Sequence, residues 1–200
     1  MLRIYYADVS GLDPAGDYAL SEYRRARLAS VRPDASRRCG IGAELLLNHA
    51  IIDWRSDFPL PLDIVMLEHG KPALRGGEIY IGLSHSGTYA AAAVCDEDFG
   101  LDIQRSMPPN IALARRFFSA DEQEYIARAA DAGLAFTEIW CRKESYIKAL
   151  GTGLATPLPS FSVMDMPGIW HCAPDGCQLA VCVPGQESTE PDVIEKIELL

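Results

Sequence analysis

TEIWCRKESYIKALGTG, residues 137–153, places Trp140, Glu144 and Lys148 at four-residue intervals. Four residues of α-helix turn about 400°, so the three side chains climb one slowly drifting stripe. Ile139, Tyr146, Ile147 and Leu150 make an apolar face beside it, with Lys143 inside that face and expected to snorkel. Gly151-Thr152-Gly153 supplies the left-handed geometry that ends a helix, so a helix is expected over 135–150. A carboxylate and an ammonium beside a buried face suit the rim of a cleft. On this stretch alone, the commoner reading is an ordinary surface Glu–Lys pair, worth about 0.2–0.5 kcal/mol.

The surroundings of that helix set the fold class. A strand is expected at 2–8, helices at 18–30 and 36–52 (Ser36 as N-cap), and strands at 64–68, 78–83, 88–95 and 99–104. SMPPN breaks the chain, and Ser119 with Glu122 forms a capping box that starts another helix. After helix 135–150 come strands at 160–166, 168–173 and 177–183, then an acidic tail with a short amphipathic end. Each half thus runs strand, helices, strands. This order predicts an α+β protein of two similar lobes, residues 1–99 and 100–200, each an antiparallel sheet packed with helices.

Composition narrows the class of function. With 200 residues, 48% hydrophobic and 23% charged, the chain has the make-up of a globular protein with a sizeable core. No apolar run nears the roughly 20 residues that span a bilayer, and the N-terminus reads as a strand with no signal peptide. Cys172, Cys177 and Cys182 lack a His in zinc-finger spacing, and Cys39, Cys95 and Cys141 sit among apolar neighbours. A reducing cytoplasm is the expected location. The net charge of −10 argues against nucleic acid as a partner. Yet residues 24–38 carry six arginines against one acid, and residues 149–200 carry Lys196 against seven acids. Arginine gathered in an acidic chain points to a bound anion; a solvated helix face is the alternative.

Three further stretches offer chemistry. In GLSHSGTY, a strand exit carries Ser84, His85, Ser86 and Gly87, donors suited to a phosphate. Ser84 and His85 point to opposite faces of a strand, and no G-x-S-x-G elbow is present, so a serine hydrolase is not expected. In FGLDIQRS, Asp102 faces away from Leu101 and Ile103 and shares its face with Gln104. A strand Asp near a helix Glu is the pair of hard oxygens that Mg²⁺ takes with phosphate and water; a purely structural Asp is the alternative. EHGKPAL is a turn carrying Lys71, which by itself is an ordinary solvated lysine.

The order of these pieces resembles the surfactin-type 4'-phosphopantetheinyl transferases. The matching motifs are Gly70-Lys71-Pro72, Leu83 to Ser86, Gly100 to Gln104, Phe117 to Glu122, and Trp140 through Leu154, within a likeness over about residues 1–165. The resemblance implies a Mg²⁺-dependent holo-[acyl-carrier-protein] synthase. Such an enzyme moves 4'-phosphopantetheine from coenzyme A to a serine of an acyl- or peptidyl-carrier protein, releasing adenosine 3',5'-bisphosphate. It serves fatty acid, polyketide or nonribosomal peptide synthesis, from a site between two pseudo-symmetric lobes. It further implies Asp102 and Glu144 as metal ligands, Glu144 as the base for the acceptor serine, and Lys148 on the diphosphate. Ser84, His85 and Lys71 would contact coenzyme A. Arg38 would hold its 3'-phosphate, with Arg24, Arg25 and Arg27 as further candidates, and Trp140 would pack beside the cleft.

The family pattern commonly reads D-I-E where this chain has Gln104, so one anionic ligand is replaced by a carbonyl or a water. That departure is the one feature favouring a catalytically silent coenzyme A-binding homologue acting as an interaction protein. A phosphatase of similar metal chemistry lacks a second carboxylate cluster. Carrier docking is expected to use apolar contacts with Arg115, Arg116 or Arg142, and a monomer is expected.

Overall fold

β1 (Leu2–Asp8) is buried at Leu2, Ile4, Tyr5 and Ala7, and Tyr5 and Ala7 enter a core that Leu46, Leu47 and Ile51 share. It pairs antiparallel with β5 (Tyr89–Cys95), Leu2 opposite Cys95 and Asp8 opposite Tyr89; β5 pairs in turn with β4 (Tyr80–Ser86). The computed structural model describes residues 1–67, 70–77 and 79–199, apart from the side chain of Leu154. Residues 68, 69 and 78, which the expected strands 64–68 and 78–83 and the turn 68–74 include, lie outside the described residues, as does Leu154's side chain in the last motif. Two units result, Met1–Asp98 with Glu190–Leu200, and Phe99–Thr189.

In the first unit, α1 (Glu22–Ser30) starts at Ser21, whose hydroxyl oxygen accepts from Arg24 N at 3.1 Å. That cap shortens the helix expected from residue 18. α2 (Asp34–Trp54) begins after Pro33 with no side-chain cap, so Ser36 lies inside the helix. Leu46, Leu47, Ala50 and Ile51 of α2 join the core with Ala90, Ala92 and Val94. The alanine-rich strand Ala90–Val94 is wholly buried, and its small side chains let a helix lie close on the sheet. β2 (Ile64–Met66) and β3 (Pro72–Leu74) form a separate antiparallel pair.

The second unit holds β6 (Gly100–Arg105), α3 (Ile111–Phe117), α4 (Ala120–Arg128), α5 (Ala132–Leu150), β7 (Ile169–Cys172) and β8 (Cys177–Cys182). Its sheet, ordered β6-β8-β7, is antiparallel throughout. α4 carries the expected Ser119–Glu122 capping box, and α5 ends at Gly151 with φ 63°. α3 is absent from the sequence reading because the proline break hides its start. Its cap is Asn110, which accepts from Leu113 N at 3.0 Å.

Two expectations are corrected. The tail read as an amphipathic end of the second half contains β9 (Val193–Lys196), which runs parallel to β1 in the first unit's sheet. β-Branched Val193 and Ile194 meet an otherwise open strand edge, which would present unpaired N–H and C=O groups. That sheet is therefore mixed, while the α+β class stands. The strand expected at 160–166 is irregular chain after a 3₁₀ turn at Leu158–Ser160. Side chains meet part of this stretch's backbone: Lys143 Nζ donates to the carbonyls of Leu158 (2.8 Å), in the turn, and Phe161 (2.7 Å), and Val163 N donates to Glu122 (2.8 Å).

Candidate active site

α5 lies against β6 and β8 at a distance that only glycine permits. A Cβ on Gly100 would collide with the Ser145 carbonyl oxygen and the Ala149 amide nitrogen. Cys141, wholly buried on α5, donates its S–H to the carbonyls of Asp102 and Gln178, each at 3.3 Å. Burial pushes that thiol well up, so it is an inert tie between helix and sheet. Asp102, 5% exposed, receives Lys148 Nζ on Oδ1 at 2.6 Å. The strand Asp and the helix Lys predicted from sequence are thus direct partners, closer and drier than a surface pair.

Glu144 sits one turn before Lys148. Burial first, and the Asp102 charge second, hold its carboxyl above the usual range, while Lys148 pulls the other way. Two carboxylates feel each other beside one ammonium. Gln104 follows Asp102 by two residues on β6 and shares its face. Among the described residues, no three His, Cys, Asp or Glu side chains group to hold a metal unaided. The donor set (two carboxylates and a carboxamide, all hard oxygens) fits a Mg²⁺ that completes its shell with phosphate and water. A divalent cation there would offset the Asp102 charge, which adds to burial in raising Glu144.

The rest of α5 is structural. Trp140 packs on Phe117 and Phe118, ring centroids 6.3 Å apart in each case. Tyr146 packs on Phe161 at 4.8 Å, whereas Leu150, assigned to the apolar face, is 40% exposed. Lys143 does not snorkel. It is 1% exposed and pairs with wholly buried Glu122 at 2.9 Å, since Glu122 and two carbonyls give the ammonium the partners it would otherwise seek in water. A second network went unread in the sequence. Glu138 accepts from Tyr125 OH at 3.0 Å, pairs with Arg142 at 3.2 Å, and meets His171 Nε2 at 2.9 Å. Asp102, Ala180 and His171 form one cross-strand row, so α5 is tied to both outer strands of the sheet. The one legible hint was the i,i+4 spacing of Glu138 and Arg142.

In the first unit the arginine segment divides. Arg37 gives Nε and Nη2 to Pro14 O and Nη1 to Leu28 O, and Arg38 gives Nε to Leu12 O at 2.8 Å. Both tie loops to α2. Arg24, Arg27 and His85 line a groove of about 200 Å³ together with Tyr23, Leu83 and Gly70. Arg38 is not among the side chains lining it. Ser84 is buried and His85 exposed, the opposite-face arrangement that separates a hydroxyl from a neighbouring imidazole. Lys71 forms an ion pair with Asp98 and lines a different groove, of about 360 Å³.

The model of the 4'-phosphopantetheinyl transferase superfamily matches residues 98–170. The 4'-phosphopantetheinyl transferase AcpT of Salmonella typhimurium is 33% identical over 178 residues, covering 84% of this chain and 88% of AcpT. The chain belongs to the 4'-phosphopantetheinyl transferase superfamily. Psf-1 of Bacillus pumilus, also named a 4'-phosphopantetheinyl transferase, is 37% identical over 133 residues, 64% of this chain and 55% of psf-1. Sfp of Bacillus subtilis (strain 168) is 37% identical over 99 residues, 48% of this chain and 44% of Sfp. The match therefore spans about half the length of these Bacillus relatives. Within this superfamily member, the family model covers Asp102, Gln104, Glu144 and Lys148 and leaves the Arg24–Arg27–His85 groove outside it.

Proposed function

We propose that this chain transfers 4'-phosphopantetheine from coenzyme A to a serine of a carrier protein, releasing adenosine 3',5'-bisphosphate. The observation that carries this reading is Lys148 held on Asp102 with Glu144 one turn away. Glu144 accepts the proton of the acceptor serine, directly or through a water. The serine oxygen then bonds to the pantetheine-bearing phosphorus as the bond from that phosphorus to the diphosphate bridging oxygen breaks. Lys148 neutralises charge on the departing phosphate and donates a hydrogen bond to it. Asp102, Glu144 and the Gln104 carbonyl would hold Mg²⁺, which supplies Lewis-acid neutralisation of the diphosphate.

The donor's 3'-phosphate is assigned to the groove of Arg24, Arg27 and His85, where charge-assisted hydrogen bonds can gather on one anion. Ser84, Lys71 and Arg38 remain secondary candidates for contacts to the donor. The carrier is assigned to the face of α3, where Arg115 and Arg116 are exposed beside exposed Ile111. Arg142, already paired with Glu138, is the secondary candidate for that role. With a net charge of −10, attraction to an acidic carrier has to be local. Among the described residues no helix is long and apolar enough to cross a membrane, and free cysteines such as Cys141 and Cys182 suit the reducing cytoplasm to which we assign the chain.

The deciding experiment incubates the protein with coenzyme A, Mg²⁺ and an apo carrier protein, then weighs the carrier. A gain of one phosphopantetheinyl group is expected. An unmodified carrier, with coenzyme A still bound by the protein, would instead establish the silent homologue. Gln104 sets a second expectation. Gln104→Glu lowers the Mg²⁺ concentration for half-maximal rate, because a third anionic oxygen strengthens a hard-cation site. A titration curve that does not move, or moves upward, places Gln104 outside the coordination sphere.

A further inference from the structure

Glu44 is wholly buried on α2, and its carboxylate is held by Ser21 and Arg24 at the start of α1. Its carboxylate accepts from the backbone N–H of Ser21, from Ser21 Oγ at 3.0 Å, and from Arg24 Nε at 3.2 Å. Arg24 is itself only 8% exposed, yet it lines the groove beside Arg27 and His85. Its guanidinium lies 5.7 Å from the Tyr23 ring centroid, and Nη1 passes 3.4 Å from where a Cβ on Gly40 would stand. Carboxylate, aromatic ring and side-chain-free helix surface together determine where the fork points.

We infer that Glu44 is a positioning residue that aims Arg24 into this groove to receive a phosphate. The inference rests on the assignment of the coenzyme A 3'-phosphate to the groove and extends it to a residue that touches no ligand. A guanidinium carries five N–H donors in a rigid fork. Using Nε for Glu44 leaves the outer edge of the fork for a second anion, and a bidentate phosphate contact needs that edge in one plane. A long exposed arginine would lose rotamer freedom on binding, whereas one already locked loses little. Two half-buried arginines of the segment show the contrast. Arg37 and Arg38 are held by neutral backbone carbonyls, those of Pro14 and Leu12 in the loop after β1 and that of Leu28 at the end of α1. A buried carboxylate is a costly tie unless the orientation of its cation matters.

Glutamine at position 44 cannot reproduce the arrangement. Its single carbonyl oxygen would have to serve Arg24 Nε, Ser21 N–H and Ser21 O–H, and its NH₂ would face a donor. The test compares binding of coenzyme A and dephospho-coenzyme A, by calorimetry, to wild type, Glu44→Gln, Arg24→Ala and the double variant of the full chain. Glu44→Gln is expected to weaken coenzyme A about tenfold, the low end for losing a charge-assisted contact, and to change dephospho-coenzyme A by less than about twofold. On the Arg24→Ala background it should add nothing, because its effect passes through Arg24. Equal weakening of both donors, or an undiminished effect without Arg24, reduces Glu44 to a structural anchor of α1 and overturns the inference. Should Arg24→Ala alone leave the preference for coenzyme A intact, the groove assignment itself is wrong and the inference falls with it. If Glu44→Gln does not fold, Arg24→Lys decides: its ammonium collapses onto Glu44, so full retention of the preference would refute the positioning role.

Discussion

Replacing Glu144 by glutamine is expected to lower phosphopantetheinyl transfer by a factor of about 10² or more, the usual contribution of a positioned general base. The substitution keeps the shape of the side chain and removes its capacity to accept a proton. Asp102→Asn should lower the rate by about 10² as well, through a different route. It takes away the anion that holds Lys148 Nζ at 2.6 Å, leaving the ammonium without its anchor. The isosteric change matters here, because Asp102 is 5% exposed and an alanine would leave a hole between β6 and α5. Steady-state rates at saturating coenzyme A, carrier and Mg²⁺, with circular dichroism to confirm folding, make the measurement. A near-normal rate in either variant removes that residue from the proposed chemistry. Both variants should also need more Mg²⁺ to reach their own maximum, because each loses an anionic ligand.

The second large effect is on stability. Lys143→Met is expected to cost about 3–5 kcal/mol, because it strands the wholly buried carboxylate of Glu122 without its cation. Methionine fills much of the lysine's volume, so the loss is electrostatic and hydrogen-bonding in origin. The carbonyls of Leu158 and Phe161 lose their donor at the same time, and the ammonium's contact with the Phe161 ring, 4.1 Å from the centroid, disappears. Urea unfolding measures it as a lowered midpoint at little-changed slope. Adding Glu122→Gln should cost less than the sum of the two single changes, since each removes the same pair. A shift below about 1 kcal/mol for Lys143→Met would show that Glu122 finds another partner or a proton.

What could be read in the sequence was what neighbours along the chain decide. The capping box of Ser119 and Glu122 spans three residues, the Gly151 stop is one residue's conformation, and the Glu144–Lys148 stripe is set by helical pitch. The Asp102–Gln104 face follows from strand alternation in the same way. For the assembled site the sequence offered only motif order, and comparison with relatives then established the family. Tertiary structure decided the rest. Val193–Lys196 became a strand because β1 offered an edge 190 residues away. Over 160–166, a buried Lys–Glu pair takes the Phe161 carbonyl and the Val163 N–H that a strand would have given to a ladder. The six arginines of one segment look alike in sequence, yet Arg37 and Arg38 tie loops, Arg24 is aimed by Glu44, and Arg27 is exposed at the groove. Charge and periodicity are properties of the local chain. Which hydrogen-bonding group reaches a given donor first depends on packing between distant elements, and burial makes that choice binding because an unmatched polar group in the interior is costly.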